Sequence, residues 1–134
     1  MKKIIALVIA TLPLTGCSTE GSEALAARTD RILMEELRGS VATGPSVSCV
    51  SKRLLYGNRS AGEGAIIFNA ANRLFYVNRP PAGCPELGGG RTMITQSPSS
   101  RLCEGDIVTI LDPIDRAQYG SCSLGKFTPY RKVR

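Results

Sequence analysis

Five cysteines constrain this 134-residue chain more than any other feature of its sequence. They are Cys17, Cys49, Cys84, Cys103 and Cys122. Structural zinc sites use cysteines paired at C-x-x-C spacing, often together with histidine. The chain has no such pair and no histidine, so the sequence argues against a metal centre. Because the number of cysteines is odd, at least one of them has a role other than an intrachain disulfide.

The first residues have the layout of a secretory signal. Lys2 and Lys3 give a positive start, residues 4–14 are almost entirely apolar, and the small residues Thr15 and Gly16 follow. This order of charge, apolar run and small residues is typical of a cleavable export signal. A transmembrane helix needs roughly 20 apolar residues, so the apolar run is too short to span a bilayer. We therefore expect the rest of the chain to be exported.

The end of this segment, Leu-Thr-Gly-Cys at residues 14–17, resembles the lipobox of bacterial lipoproteins. The resemblance implies a signal peptide over residues 1–16 and a diacylglyceryl thioether on Cys17, whose new amine is then acylated, for instance with palmitate. Ser18 follows the cysteine. By resemblance to sorted lipoproteins, serine there implies the outer membrane of a Gram-negative cell, with the protein facing the periplasm.

Lipidation of Cys17 leaves an even set of four cysteines in an exported domain, which predicts two disulfides. Four cysteines allow three connectivities, and sequence alone does not choose among them. We favour Cys84–Cys103 with Cys49–Cys122. The first bridge would close a Pro/Gly-rich loop locally, and the second would tie the first predicted strand to the last.

Residues 17–46 are predicted to form a lipid-anchored tether, a helix and a linker. The helix is expected over residues 22–38, with Ser22 as N-cap and Gly39 as its stop. Leu25, Ile32, Leu33 and Leu37 share one face at helical spacing, which favours packing on the following domain. A spacer or self-association helix is the alternative. Gly44 and Pro45 indicate a linker over residues 40–46.

Residues 47–134 are predicted to form a disulfide-stapled β-domain. We expect six strands, within residues 47–56, 65–69, 73–78, 92–96, 103–112 and 122–130. The segments 65–69 and 73–78 flank a short turn and favour a hairpin, whereas residues 79–91 are rich in Pro and Gly and predict a loop. The apolar run within 103–112 predicts a strand buried on both faces. The fold class is therefore mainly β, a small antiparallel barrel or sandwich preceded by one helix.

Charge and residue types restrict the chemistry. The formal net charge is +6, and Lys2 and Lys3 belong to the signal, so the mature chain has 15 basic and 11 acidic side chains, a net of +4. This excess suits an anionic neighbour, but no basic stripe interleaved with aromatics indicates nucleic acid. Without histidine, the usual general base and the Ser-His-Asp arrangement are absent. We predict no enzyme and no cofactor; Glu104 and Asp106, flanking Gly105, are a carboxylate pair that more often shapes a turn.

Two places offer cations to an anion. Arg91 follows three glycines at 88–90, whose backbone N–H groups can face a negative charge. The C-terminal segment carries Lys126, Arg131 and Lys132. We name these four residues as candidate anion contacts, with cell-wall polymer, phosphate or lipid headgroups as the partner. Solvated side chains are the alternative at both places.

The four cysteines, the segment CEGDIV at 103–108 and the segment CSLGKF at 122–127 resemble a family of small, uncharacterised proteobacterial envelope proteins. The resemblance covers residues 48–130 and implies oxidised cysteines, but brings no activity. We therefore expect a membrane-anchored lipoprotein that binds or braces something in the envelope. The alternatives are an inhibitor of a periplasmic enzyme such as lysozyme, or a hydrolase that uses carboxylates.

Overall fold

The computed structural model describes residues 19–133, in which one α-helix precedes ten β-strands. Helix α1 spans Thr19–Glu36. The strands are β1 (Ser40–Ala42), β2 (Cys49–Ser51), β3 (Leu55–Ser60), β4 (Ile66–Ala70), β5 (Leu74–Asn78), β6 (Thr92–Thr95), β7 (Arg101–Cys103), β8 (Ile107–Leu111), β9 (Gln118–Ser123) and β10 (Phe127–Lys132). The predicted signal peptide, Cys17 and Ser18 lie outside the described residues.

All strand pairing is antiparallel and divides among three sheets. The largest sheet has the order β1-β10-β5-β4-β3, a second sheet has the order β6-β8-β9, and β2 pairs with β7. The predicted fold class, mainly β with one N-terminal helix, is confirmed. The described strands do not close into one barrel, and there are ten of them rather than six. The hairpin over 65–78 is confirmed as β4 and β5.

The five-stranded sheet is buried on both faces, which explains the apolar run at residues 65–68. Side chains alternate along a strand. Ile66 and Phe68 of β4 therefore join the core shared with the other two sheets, while Ile67 joins the core beneath α1. The sheet is thus the middle layer of three. The two-sided burial that we predicted for β8 holds at Thr109, which is buried, but was wrong at Ile107, which begins the strand and is 56% exposed.

Helix α1 packs on the sheet through the predicted stripe. Leu33 is buried against Ile67, Phe75 and Val77, and Ile32 and Leu37 pack at its sides. The stop at Gly39 is confirmed by its left-handed backbone, with φ of +70°. The predicted N-cap was wrong, because Ser22 lies inside the helix. The helix also ends at Glu36 rather than at the predicted Arg38.

Three further sequence predictions need correction, each because a distant strand supplies a pairing partner. The predicted linker 40–46 was wrong in its first three residues, which form β1 against β10. Residues 57–64, which lie between two predicted strands and were assigned no strand, contain most of β3, which pairs with β4. The expected single strands over 47–56 and 122–130 are each divided, the first by a short 3₁₀ turn at Lys52–Leu54 and the second between β9 and β10. Local composition does not show these long-range ladders.

Two disulfides form, as predicted, but the favoured pairing was wrong. The bridges are Cys49–Cys103 and Cys84–Cys122 rather than Cys84–Cys103 and Cys49–Cys122. Cys49 and Cys103 lie directly opposite each other in the β2–β7 ladder, with Cα atoms 4.0 Å apart. Cys84 is completely buried, and its bridge attaches the long 79–91 loop to β9. Register across distant strands therefore decides the pairing.

We expect each bridge to contribute about 4 kcal/mol to the free energy of unfolding, because the chain-entropy model gives roughly this value for closed loops of about 40 to 55 residues. Replacing Cys84 and Cys122 by Ala should lower the stability measured by urea unfolding by this order, and likewise for Cys49 and Cys103. Peptide mapping of the oxidised protein should recover only the two observed pairs. A Cys84–Cys103 peptide would contradict the structure.

Candidate anion-binding site

The structure separates the four cations named from the sequence. Arg91 donates from Nη1 to the carbonyl and the carboxylate of Glu86, and its guanidinium carbon lies 3.9 Å from the ring centroid of Tyr119. Arg91 is therefore held by a carboxylate and an aromatic face rather than presented by the glycines at 88–90. Such a cation has less to offer an incoming anion.

The three C-terminal cations do not converge either. Side chains alternate along β10, so Arg131 and Lys132 emerge on opposite faces of the sheet. Lys126 lines a cavity of about 260 Å³ beside α1, together with Arg79. The guanidinium of Arg79 is paired with Asp30 at 2.6 Å. Lys132 lines a separate concave site together with Arg59 and Arg73.

That site, which we call the basic cleft, lies where β3, β4, β5 and β10 reach the same region of the five-stranded sheet. Its volume is about 410 Å³, within the range of small-ligand pockets. The lining residues are Tyr56, Arg59, Asn69, Arg73, Leu74, Phe75 and Lys132. Only Lys132 among them was named from the sequence.

The β4–β5 turn brings Arg73 to the cleft. Asn72 and Arg73 both have φ of 60°, the left-handed conformation that non-glycine residues seldom adopt. The backbone N–H of Lys132 donates to the carbonyl of Arg73 at 3.2 Å. This bond fixes the end of β10 beside the turn, so the two cationic residues are neighbours although 59 positions separate them in sequence.

Arg59 forms the rigid wall of the cleft. Its Nε and Nη2 donate to Oε2 of Glu36 at 3.0 and 2.8 Å, and its Nη1 donates to Oδ1 of Asn69 at 2.5 Å. A guanidinium held by several bonds of this kind has a fixed orientation.

Arg73 and Lys132 have no acidic partner among residues 19–133. The cleft therefore combines three cations with one carboxylate, that of Glu36, and has a local charge of about +2. Its free polar groups are mainly donors, and Tyr56 lies largely exposed at 73%. Guanidinium and ammonium donors around a pocket of this kind suit phosphate or carboxylate oxygens.

The carboxylates flanking Gly105 have structural partners. Oδ2 of Asp106 accepts the backbone N–H of Cys103 at 2.8 Å, and Oε2 of Glu104 accepts the hydroxyl of Ser48 at 3.2 Å. Gly105 has φ of +87°, which glycine adopts without cost. These contacts stabilise the β7–β8 turn, where the sequence had left a catalytic pair as an alternative.

Three comparisons with known proteins add no assignment. No family model, no curated protein and no solved structure matches the chain. The two resemblances named from the sequence therefore stay predictions. Among residues 19–133, no helix has both the length and the apolar character needed to cross a membrane.

We expect the basic cleft to bind inorganic phosphate. The double variant Arg73→Gln/Lys132→Gln should weaken phosphate binding at low salt by about tenfold or more, because it removes the two cations of the cleft that have no acidic partner among the described residues. Chemical-shift titration of the backbone amides near residues 73 and 132 measures this. Lys126→Gln/Arg131→Gln is the matched control, since it removes the same charge outside the cleft. Equal weakening by both double variants would show that net charge, not the cleft, holds phosphate.

Proposed function

We propose that this chain is a lipid-anchored, periplasm-facing envelope protein of the outer membrane that binds an anionic component of the envelope through its basic cleft. The observation that carries the binding role is the convergence of Arg73 and Lys132, neither with an acidic partner among the described residues, beside the fixed Arg59. The cleft supplies cationic donors suited to an anion, which favours a binding role.

The proposed location, anchored by lipid in the outer membrane and facing the periplasm, rests on the sequence and is supported by the cysteines. The Leu-Thr-Gly-Cys segment at 14–17 resembles a lipobox, and Ser18 follows it. All four remaining cysteines are paired in disulfides. Disulfides of this kind persist in oxidising compartments such as the periplasm and are rare in the cytosol. An exported chain with one lipidated cysteine accounts for all five.

The position of the cleft relative to the proposed anchor limits which anionic ligands it can reach. Helix α1 starts two residues after Cys17, and its last residue, Glu36, holds Arg59 in the cleft. Eighteen helical residues span about 27 Å. The cleft therefore lies at the end of the helix remote from the lipid attachment point. This favours an anionic group of the cell-wall polymer over the headgroups of the membrane that holds the anchor.

The address is tested by the intact mass of the protein extracted from membranes, with and without reductant. We expect a chain that begins at Cys17 and carries acyl chains, and a gain of four hydrogens on reduction. A mature chain with an unmodified N-terminal cysteine would contradict the anchor. A mass unchanged by reductant would contradict the disulfides.

The ligand is tested by cosedimentation with purified peptidoglycan sacculi. The unlipidated protein should sediment with the sacculi at low salt, and Arg73→Gln/Lys132→Gln should reduce the bound fraction severalfold, because carboxylates on the polymer lose their cationic partners. The variant Lys126→Gln/Arg131→Gln should sediment almost as the wild type does. If neither pair of substitutions changes sedimentation, the cleft does not bind the wall.

A further inference from the structure

Strand β9 forms an open edge of the three-stranded sheet. The sheet order is β6-β8-β9, and β9 has a hydrogen-bonded neighbour only on its β8 side among the described strands. Leu124, just after the strand, donates its backbone N–H to the carbonyl of Asp106 at 2.9 Å. This bond sets which residues of β9 face inward, because hydrogen-bonded and non-hydrogen-bonded pairs alternate along an antiparallel ladder.

Counting from that bond, Cys122 and Gly120 direct their backbone groups toward β8, and Ser121 and Ser123 direct theirs to the open side. No hydrogen bond of the described residues uses the backbone N–H or C=O of Ser121 or Ser123 on that side. Ser121 is also exposed as a residue. Two donors and two acceptors therefore face solvent at the period of a β-strand.

The β9 edge lacks the usual protection against pairing. Natural edge strands are shielded by charged side chains, proline, bulges or short length. The edge strand β3 has Arg59 and a bulge near Tyr56, and the edge strand β1 has only three residues. Strand β9, QYGSCS, is six residues long and contains neither a charged residue nor proline. Its one irregularity, beside Tyr119, leaves residues 120–123 in regular register.

A preformed groove runs along this edge. Residues 121–123 form one side, and Pro81, Ala82, Gly83 and Pro85 form the other; the volume is about 480 Å³. The Cys84–Cys122 disulfide joins the two sides covalently. The backbone N–H of Cys84 also donates to the carbonyl of Glu63 at 2.6 Å, which fixes the loop against the body of the domain. We call this site the edge groove.

We propose that the edge groove binds an extended, uncharged segment of a partner polypeptide, which adds as a fourth strand beside β9. The free groups of Ser121 and Ser123 recur every second residue, and another extended backbone meets that spacing with its own donors and acceptors. None of the lining residues is charged. The segment therefore carries small apolar side chains opposite Pro81 and Pro85, and charged side chains there would be desolvated without a partner.

The proposal is tested by selecting from a phage-displayed library of random heptapeptides on the oxidised protein. The selected peptides should lack charged residues at their centre and be rich in β-branched residues. Ser121→Pro removes the outward N–H at an edge position where proline is tolerated, and it should weaken binding at least tenfold. Ser99→Pro, a loop substitution of the same type, is the control. Urea unfolding and peptide mapping establish that both variants are folded and oxidised.

A synthetic version of the selected peptide provides a more specific test of strand pairing. N-methylation of the residues whose N–H groups face β9 should abolish binding, and N-methylation of the alternate residues should leave it intact. Pro85→Asp should weaken binding because it places a charge in the edge groove. Peptides that bind Ser121→Pro as well as they bind wild type, or no enrichment at all, would overturn the proposal. If the wild-type protein dimerises in sedimentation analysis and Ser121→Pro abolishes the dimer, the β9 edge pairs with a second copy of this chain. That outcome would also overturn the proposal.

Discussion

The burial of the five-stranded sheet on both faces is the constraint on which the rest of the structure depends. Strand β4 sends Ile66 and Phe68 to one core and Ile67 to the other. A sheet of this kind needs a cover on each side, because exposed apolar side chains forfeit about 25 cal/mol for each Å² left in water. Helix α1 covers one face, and the β6-β8-β9 and β2-β7 sheets cover the other.

The helix therefore belongs to the folded body instead of acting as a free spacer. Thr29 packs so closely against Gly64 that a Cβ atom at position 64 would overlap its side chain. A Cβ atom at Gly125 would likewise overlap the backbone carbonyl of Arg79. Asn78 reinforces this close contact, because its side-chain amide donates to the carbonyl of Gly125 and accepts the N–H of the same residue. These close approaches bring the layers into direct contact.

Sequence reasoning succeeded where the signal is local. The β4–β5 hairpin follows from two apolar runs around a short turn, and the stripe of α1 follows from its helical period. Sequence reasoning failed where a distant pairing partner decides the local structure. Tyr56 to Arg59 looks like a turn by composition, yet it becomes β3 because β4 requires a neighbour. The disulfide pairing likewise depends on the β2–β7 register, which places Cys49 opposite Cys103.

The basic cleft shows the same limit at the level of a site. Lys132 was predictable as a cation, but its partner Arg73 was not, because its position depends on the left-handed turn and on the bond from the Lys132 N–H. Arg59 became recognisable only once Glu36 and Asn69 were seen to hold it. The usable signal in the sequence was Asn72 in the predicted hairpin turn, with Arg73 at the start of the strand that follows.

The helix also separates the two proposed sites. The loop residues Pro81 to Gly83 line the edge groove. The same residues line a second cavity, together with Ser22 and Leu25 in the first turns of α1. The basic cleft instead contacts Glu36, at the other end. From Leu25 to Glu36 the helix rises about 17 Å. With an anchor at Cys17, a polypeptide in the edge groove would lie on the membrane side of the domain, and an anion in the cleft on the far side. Occupation of one site would then leave the other accessible, and under the proposed function the domain would join a protein at the membrane to the polymer beyond it.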